Sequence, residues 1–183
     1  MNKIGIFLSD GCEEVEALCT VDIMRRAKID IVLISVTGQL EITGSRNIRF
    51  MAEELFENTD FEALDGVILP GGMPGTKHLQ AHEGVNRIIK KYAAEQKLVA
   101  AICAAPSVLG AAGLLEGKEA TCHPGFESAL TGASEVVTGV TVVRDGNIIT
   151  SRGMGTTIDF ALEIVRYLKD DSAVYEVKKH LVY

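Results

Sequence analysis

The chain has 183 residues, 47% hydrophobic and 23% charged, with a formal net charge of −7. That length can bury about 70% of the unfolded surface around one core, so a single domain over residues 1–183 is expected. The negative balance excludes sequence-independent binding to nucleic acid or to an anionic membrane surface, and no apolar run reaches the ~20 residues of a membrane span.

Ile4–Leu8 reads as a short apolar strand closed by the turn cluster Ser9-Asp10-Gly11. From Glu13 to Ala27 the residues Val15, Leu18, Cys19, Val21, Ile23 and Met24 recur at helical spacing and predict a broad apolar face. Asp30–Val36, rich in Ile and Val, is the second strand, and Leu40–Thr43 with Ile48–Met51 reads as a pair of short strands or a hairpin. Val67-Ile68-Leu69 is a buried strand broken by Pro70-Gly71-Gly72, and a helix follows from Glu83 to Glu95. Leu98–Ile102 is an apolar strand that stops at Cys103; Ala104, Ala105, Pro106 and Ser107 then open a helical segment through Leu109 and Ala112. Ala120–Cys122 is a further candidate strand. Val140–Arg144 and Asn147–Ser151 flank Asp145-Gly146, a hairpin signal. Thr157–Leu168 is an amphipathic helix, and a last helical segment covers Ala173–Lys179. Strands alternating with helices imply a mostly parallel sheet covered on both faces, whose ligand sites lie outside the carboxyl ends of the strands.

Three loops follow strands and converge on that edge. At Cys103 a strand feeds directly into a helix, and only small neighbours let the backbone turn so sharply. This is the logic of a nucleophile elbow, although the G-x-S-x-G motif is absent. Helix N–H groups beside the sulfur favour an anion, so a thiolate is expected, with a pKa below the ~8.5 of a free thiol; the competing reading is a buried structural cysteine. Gly11–Glu16 brings three carboxylates to a helix start, which capping and dipole compensation alone would explain. Glu16 nonetheless has the position to tilt toward the sheet edge, where a protonated carboxyl could donate to sulfur. Leu69–Gly75 is glycine-rich, and its free N–H groups suit an oxyanion hole or a tight turn. His123, after the third candidate loop, is a possible acid or base for Cys103, whereas His78, His82 and His180 read as surface residues. Ser107, Thr156 and Thr157 read as caps rather than nucleophiles. Cys12, Cys19, Cys103 and Cys122 form no C-x-x-C pair and read as reduced cytoplasmic thiols. Adjacent Cys122 and His123 chelate poorly, and neither metal nor organic cofactor is expected.

Gly11–Glu16 with Val21–Ala27, Val67–Gly72, Ala100–Pro106, His123-Pro124 and Thr150–Gly153 with Gly155-Thr156 occur in the order in which the ThiJ/PfpI superfamily carries them. The chain resembles that superfamily from residue 4 onward, and within it the DJ-one-like branch. The resemblance implies a flavodoxin-like (class I glutamine amidotransferase-like) three-layer α/β sandwich, usually a homodimer. It implies that Cys103 is the reactive cysteine, Glu16 the protonated glutamate beside it and His123 the nearby histidine. Gly71, Gly72 and Ala104 would supply backbone donors, and Arg46 would enter the site from the partner subunit. The implied activity is glutathione-independent conversion of small α-oxoaldehydes, a small carbonyl substrate, to hydroxy acids, or repair of early glycation adducts. The alternative is a redox-responsive stress protein or chaperone that senses oxidation at the same cysteine. A cysteine peptidase or amidase fits less well, because the protease-like branch has a histidine where this chain has Ala104.

Overall fold

The computed structural model describes residues 2–183. In chain order the elements are β1 (Lys3–Leu8), α1 (Glu14–Arg26), β2 (Asp30–Ser35), β3 (Glu41–Thr43), β4 (Arg49–Met51) and β5 (Glu54–Leu55). Then come β6 (Gly66–Leu69), α2 (Gly75–Ala81), α3 (Glu83–Ala94), β7 (Leu98–Ile102), α4 (Pro106–Ala111), β8 (Glu119–Ala120) and β9 (Glu135–Val136). The chain closes with β10 (Val142–Asp145), β11 (Ile148–Ser151), α5 (Thr157–Leu168) and α6 (Asp171–Leu181). The central sheet runs β10-β11-β7-β6-β1-β2-β5, and only the β10–β11 pairing is antiparallel.

Side chains alternate across a strand with a period of two, and here the alternation divides the core in two. Ile4, Ile6 and Leu8 of β1 and Leu98, Ala100 and Ile102 of β7 pack with α1, α5 and α6. Phe7, Val67, Leu69, Val99 and Ala101 pack on the other side with α2, α3 and α4. Both faces are therefore apolar, which is why the strands read as continuous apolar runs. The arrangement is the mostly parallel, doubly covered sheet expected from the pattern and the flavodoxin-like sandwich that the resemblance implies. Its order reverses between β1 and β6, so the crevice lies at the carboxyl ends of β1, β6 and β7.

Several local expectations need correction. The broad apolar face predicted for α1 is displaced: Val15 and Leu18 are exposed, while Glu14, Glu16 and Thr20 are buried. The candidate strand Ala120–Cys122 shrinks to β8, which pairs with β9 outside the central sheet. Thr121 N–H donates to Thr150 Oγ1 at 2.9 Å and leads Cys122 and His123 away as a loop. In the β10–β11 hairpin Asp145 pairs with Ile148, so Gly146 and Asn147 are the turn, one residue later than expected. Helix α2 and the two-residue edge strand β5 were not foreseen. No described helix is long and apolar enough to cross a membrane.

Phe160 of α5 is fully buried against the β1 and β7 face. Phe160→Ala should lower the unfolding free energy by about 3–5 kcal/mol, the usual cost of emptying such a site, read from a urea midpoint with an unchanged slope.

Candidate active site

Cys103 follows β7 with φ +67°, in the left-handed region that a non-glycine residue occupies at a cost of about 1–3 kcal/mol. The conformation is held from both sides: Cys103 N–H donates to Ser151 O at 3.0 Å, and His123 N–H donates to the Cys103 carbonyl at 2.8 Å. The helix that follows is tied back by Ser107, whose hydroxyl donates to Ala104 O at 2.6 Å; it accepts no backbone N–H and so is not the cap expected from the sequence, since Ala105 holds the N-cap position without a side-chain bond. The turn presents Sγ to the N–H groups of Gly72 and Ala104. Those two donors stand where the sequence placed them.

Gly71 does not act with them. Its N–H donates to Glu16 Oε2 at 2.8 Å, which removes it from the expected set of oxyanion donors. It must still be glycine, because a Cβ there would stand 2.5 Å from Cys103 Cβ and 2.9 Å from Glu16 Oε2.

The three carboxylates of the first helical turn separate into three environments. Glu13 caps α1, its Oε2 accepting from Glu16 N–H at 2.7 Å. Glu14 turns the other way and is buried. It accepts from Arg46 N–H at 2.7 Å, from Ile48 N–H and from the Ser45 hydroxyl. Burial works against its charge, but these donors prevail and hold the carboxyl below its ordinary range. Glu16 is 1% exposed, with Oε2 on Gly71 and Oε1 buried without any hydrogen-bond partner. Burial raises its pKa to about 7, against the lowering effects of Gly71 N–H and Cys103.

Cys103 reverses the expectation of a depressed pKa. Burial first, and then the charge and hydrogen bonding of Glu16, push the thiol up to about 12, against the Gly72 and Ala104 N–H groups. The helix N-terminus does not outweigh desolvation, and a charged Glu16 opposes a second negative charge beside it. Between about pH 7 and 12 the pair therefore keeps one proton, on the thiol, and below about 7 Glu16 takes up a second. Burial likewise pushes Cys12 up to about 12 and Cys122 up to about 11, consistent with packing roles.

A cavity of about 600 Å³ opens over the sulfur, lined by Glu13, Glu16, Gly72, Cys103, Ala104 and His123 at its base, with Arg46 and Met154 among its other walls. His123 is exposed, and its Nδ1 lies 2.8 Å from Pro124 O, an acceptor, so Nδ1 is the donor of that bond. Arg46 lines the cavity of its own chain. The reason is the anchoring of residues 45–48 on Glu14 and of Ser45 N–H on Cys12 O. Gly153, just beyond β11, also borders Sγ, Glu16 Oε1 and His123, and sequence reasoning gave it no role. Its signal was a glycine directly after the carboxyl end of a strand. Thr156 holds it in place, accepting from Gly153 N–H at 3.1 Å and sharing a hydrogen bond with the Ser151 hydroxyl.

A parallel sheet with a strained cysteine at a strand–helix turn, facing a buried glutamate, defines an α/β protein built around a cysteine elbow. The chain belongs to the DJ-1/PfpI family, whose model matches residues 2–167. It is 40% identical over 164 residues to Protein DJ-1 homolog B of Arabidopsis thaliana, covering 89% of this chain but only 37% of that protein. The chain thus spans about two fifths of the length of the Arabidopsis relatives that it matches. It is 34% identical over 177 residues to Protein dj-1beta of Drosophila melanogaster, covering 97% of this chain and 95% of that one. A crystal structure of Drosophila melanogaster DJ-1beta superposes with a TM-score of 0.94, covering 99% and 97% of the two chains at 34% identity. Isonitrile hydratase of Pseudomonas putida is 30% identical over 181 residues, 99% of this chain and 78% of that enzyme.

Because the folded pKa of Glu16, about 7, exceeds the ~4.3 of a free glutamate, the native state holds a proton that the unfolded chain releases. The stability due to that proton is full below about pH 4.3 and is lost as the pH rises through about 7. Glu16→Gln should therefore flatten the decline in unfolding free energy between roughly pH 5 and 8, measured by chemical denaturation of both proteins across that range.

Proposed function

We propose that the protein converts small α-oxoaldehydes to 2-hydroxy acids without glutathione, using Cys103 as nucleophile and Glu16 as the proton-transfer group. The observation that carries this reading is the buried Glu16 carboxyl, which meets the Cys103 side chain, keeps Oε1 unpartnered and has its pKa raised to about 7. A carboxylate so placed can accept the thiol proton as the sulfur attacks, so a resting thiolate is not required. The S–C bond forms as the carbonyl π bond opens onto oxygen, which meets the N–H groups of Gly72 and Ala104. Proton return through Glu16 gives a neutral hemithioacetal. The carboxylate then removes the proton from the carbon bonded to sulfur and delivers it to the neighbouring carbon, while the hydroxyl proton passes to the oxygen of that neighbouring carbon, converting the hemithioacetal to the thioester of a 2-hydroxy acid. Water activated by His123 Nε2 hydrolyses the thioester, releasing the hydroxy acid and restoring the thiol. The sum is substrate plus water, with no external oxidant or reductant. A family relative named for hydrating isonitriles agrees with cysteine-dependent chemistry on a small carbon electrophile.

A second reading, oxidation sensing at Cys103, draws on the same donors, since an oxygen added to Sγ would also meet the Gly72 and Ala104 N–H groups. Hydroxy-acid formation from methylglyoxal in the absence of glutathione separates the two. Turnover should be abolished by Cys103→Ser and reduced about 10²–10⁴-fold by Glu16→Gln. A well-folded wild type that produces no hydroxy acid, while its Cys103 is oxidised selectively by peroxide, would favour sensing.

Self-association also belongs to this reading. Val15 and Leu18 lie one turn apart and exposed on α1, and exposed Ile48 and Met51 stand on the neighbouring hairpin. Val15 and Ile48 line the same cavity as Arg46, and with Leu18 and Met51 they are the exposed apolar side chains that we assign to contact with a second copy of the chain. Wild type should sediment as a dimer and Val15→Glu as a monomer, measured at the same protein concentration.

A further inference from the structure

A second cavity, of about 290 Å³, lies along α4 and shares two walls with the cavity over Sγ. Met73 and Phe126 line both. Phe126 is fixed from the side of the site: its N–H donates to His123 O at 3.0 Å, and its ring meets the His123 ring edge-on, with 6.3 Å between centroids. Met73 is the adaptable wall, an exposed and unbranched side chain. Beyond them the cavity follows α4 from Ser107 to Ala111, one helical turn or about 6 Å, with Ala129 as a further apolar wall. Its hydroxyl groups offer no donor to a ligand. Ser107 donates to Ala104 O at 2.6 Å and Thr131 to Gly110 O at 2.9 Å, while Thr76 Oγ1 is itself buried. The remaining lining residues, Lys77 and Gln80, are exposed.

We propose that this second cavity is a subsite of the active site and receives an aromatic ring carried by the molecule that bonds to Cys103. The inference rests on Cys103 being the nucleophile of the proposed function, and it adds the kind of substituent that the substrate bears away from its reacting carbon. Continuity selects the occupant: a ligand that fills the cavity over Sγ and extends past Met73 and Phe126 enters the second one. Chemistry selects the ring. A thioether and an aromatic side chain form the shared wall, and both make favourable contacts with another ring. One turn of α4 matches the length of a six-membered ring. A polar chain would give up its hydration there without gaining a donor.

The test measures how fast Cys103, located by mass analysis, is alkylated by iodoacetamide, by its N-phenyl derivative and by its N-hydroxyethyl derivative. Each rate is divided by that of the same reagent with free cysteine, which removes intrinsic reactivity. All three lose iodide from the same carbon, and none depends on the chain being an enzyme. Wild type should favour the phenyl reagent over iodoacetamide at least about tenfold, the lower end of what a hydrocarbon group contributes in a pocket, and should gain nothing from the hydroxyethyl group. Ala111→Leu and Ala129→Leu fill the second cavity from different segments. Each should slow the phenyl reagent at least about tenfold more than iodoacetamide. Ala111 is exposed, so its variant needs no room in the core. Equal rates for the phenyl reagent and iodoacetamide in wild type, a preference that survives both substitutions, an equal gain from the hydroxyethyl group, or a Cys103 inert to all three would overturn the assignment. In initial rates of turnover, Ala111→Leu should reduce kcat/KM for phenylglyoxal more than for methylglyoxal. Failure of wild type to turn over either aldehyde refutes the proposed function but leaves the alkylation ratios to decide the subsite.

Discussion

The backbone of Cys103 sits in a conformation that an L-residue avoids, and much of the carboxyl edge of the sheet exists to hold it there. Its N–H is anchored to β11 through Ser151 O, and its carbonyl is fixed by the loop that carries His123. Relaxation of either contact would let the turn unwind toward a favoured φ and withdraw the sulfur from the Gly72 and Ala104 donors. The site therefore depends on the adjacency of β7 and β11, whose register pairs Ser151 with Ile102. The two-layered core supplies that adjacency, because β7 is buried on both faces and cannot slip by one residue without turning Leu98, Ala100 and Ile102 to the opposite layer.

Electrostatics at the site is set by burial more than by charge. Glu13, Glu14 and Glu16 share one helical turn, yet one caps a helix, one anchors a hairpin and one is left with an unpaired oxygen. Glu14 gathers enough donors to outweigh its desolvation and its pKa is lowered, whereas at Glu16 burial outweighs Gly71 N–H and Cys103 and its pKa is raised to about 7. The cysteine follows the same rule, since two backbone donors do not compensate for burial beside a carboxylate.

The fold was legible in the sequence because its strands are apolar on both faces and its long helices are periodic: Thr157–Leu168 matches to the residue. The convergence of Glu16, Gly72 and Cys103 was legible too, since each follows a strand of the parallel sheet and those strands end on one edge, whereas His123 arrives on a loop that leaves β8 outside that sheet. What escaped has a physical reason in each case. Helix α2 spans seven residues with little apolar periodicity, so its pattern is too short to register. The face of α1 was misread because Val15 and Leu18 are apolar but outward, while two glutamates turn inward to partners remote in sequence. The raised pKa of Cys103 is a property of enclosure by distant segments, which no local motif records.

The anchoring of the hairpin on Glu14 has a consequence for how the chain can diverge. Gly44 lies so close to that carboxylate that a Cβ would stand 2.2 Å from Glu14 Cδ. Neither position can accept a larger residue while the other stays as it is. Residues 14 and 44 are thus tied, and a lineage that loses the glutamate is released from the glycine. The converse order is closed, because a side chain gained first at 44 would dislodge the turn that carries Arg46. Covariation between these two positions, thirty apart in the chain, would be the inherited trace of one buried carboxylate.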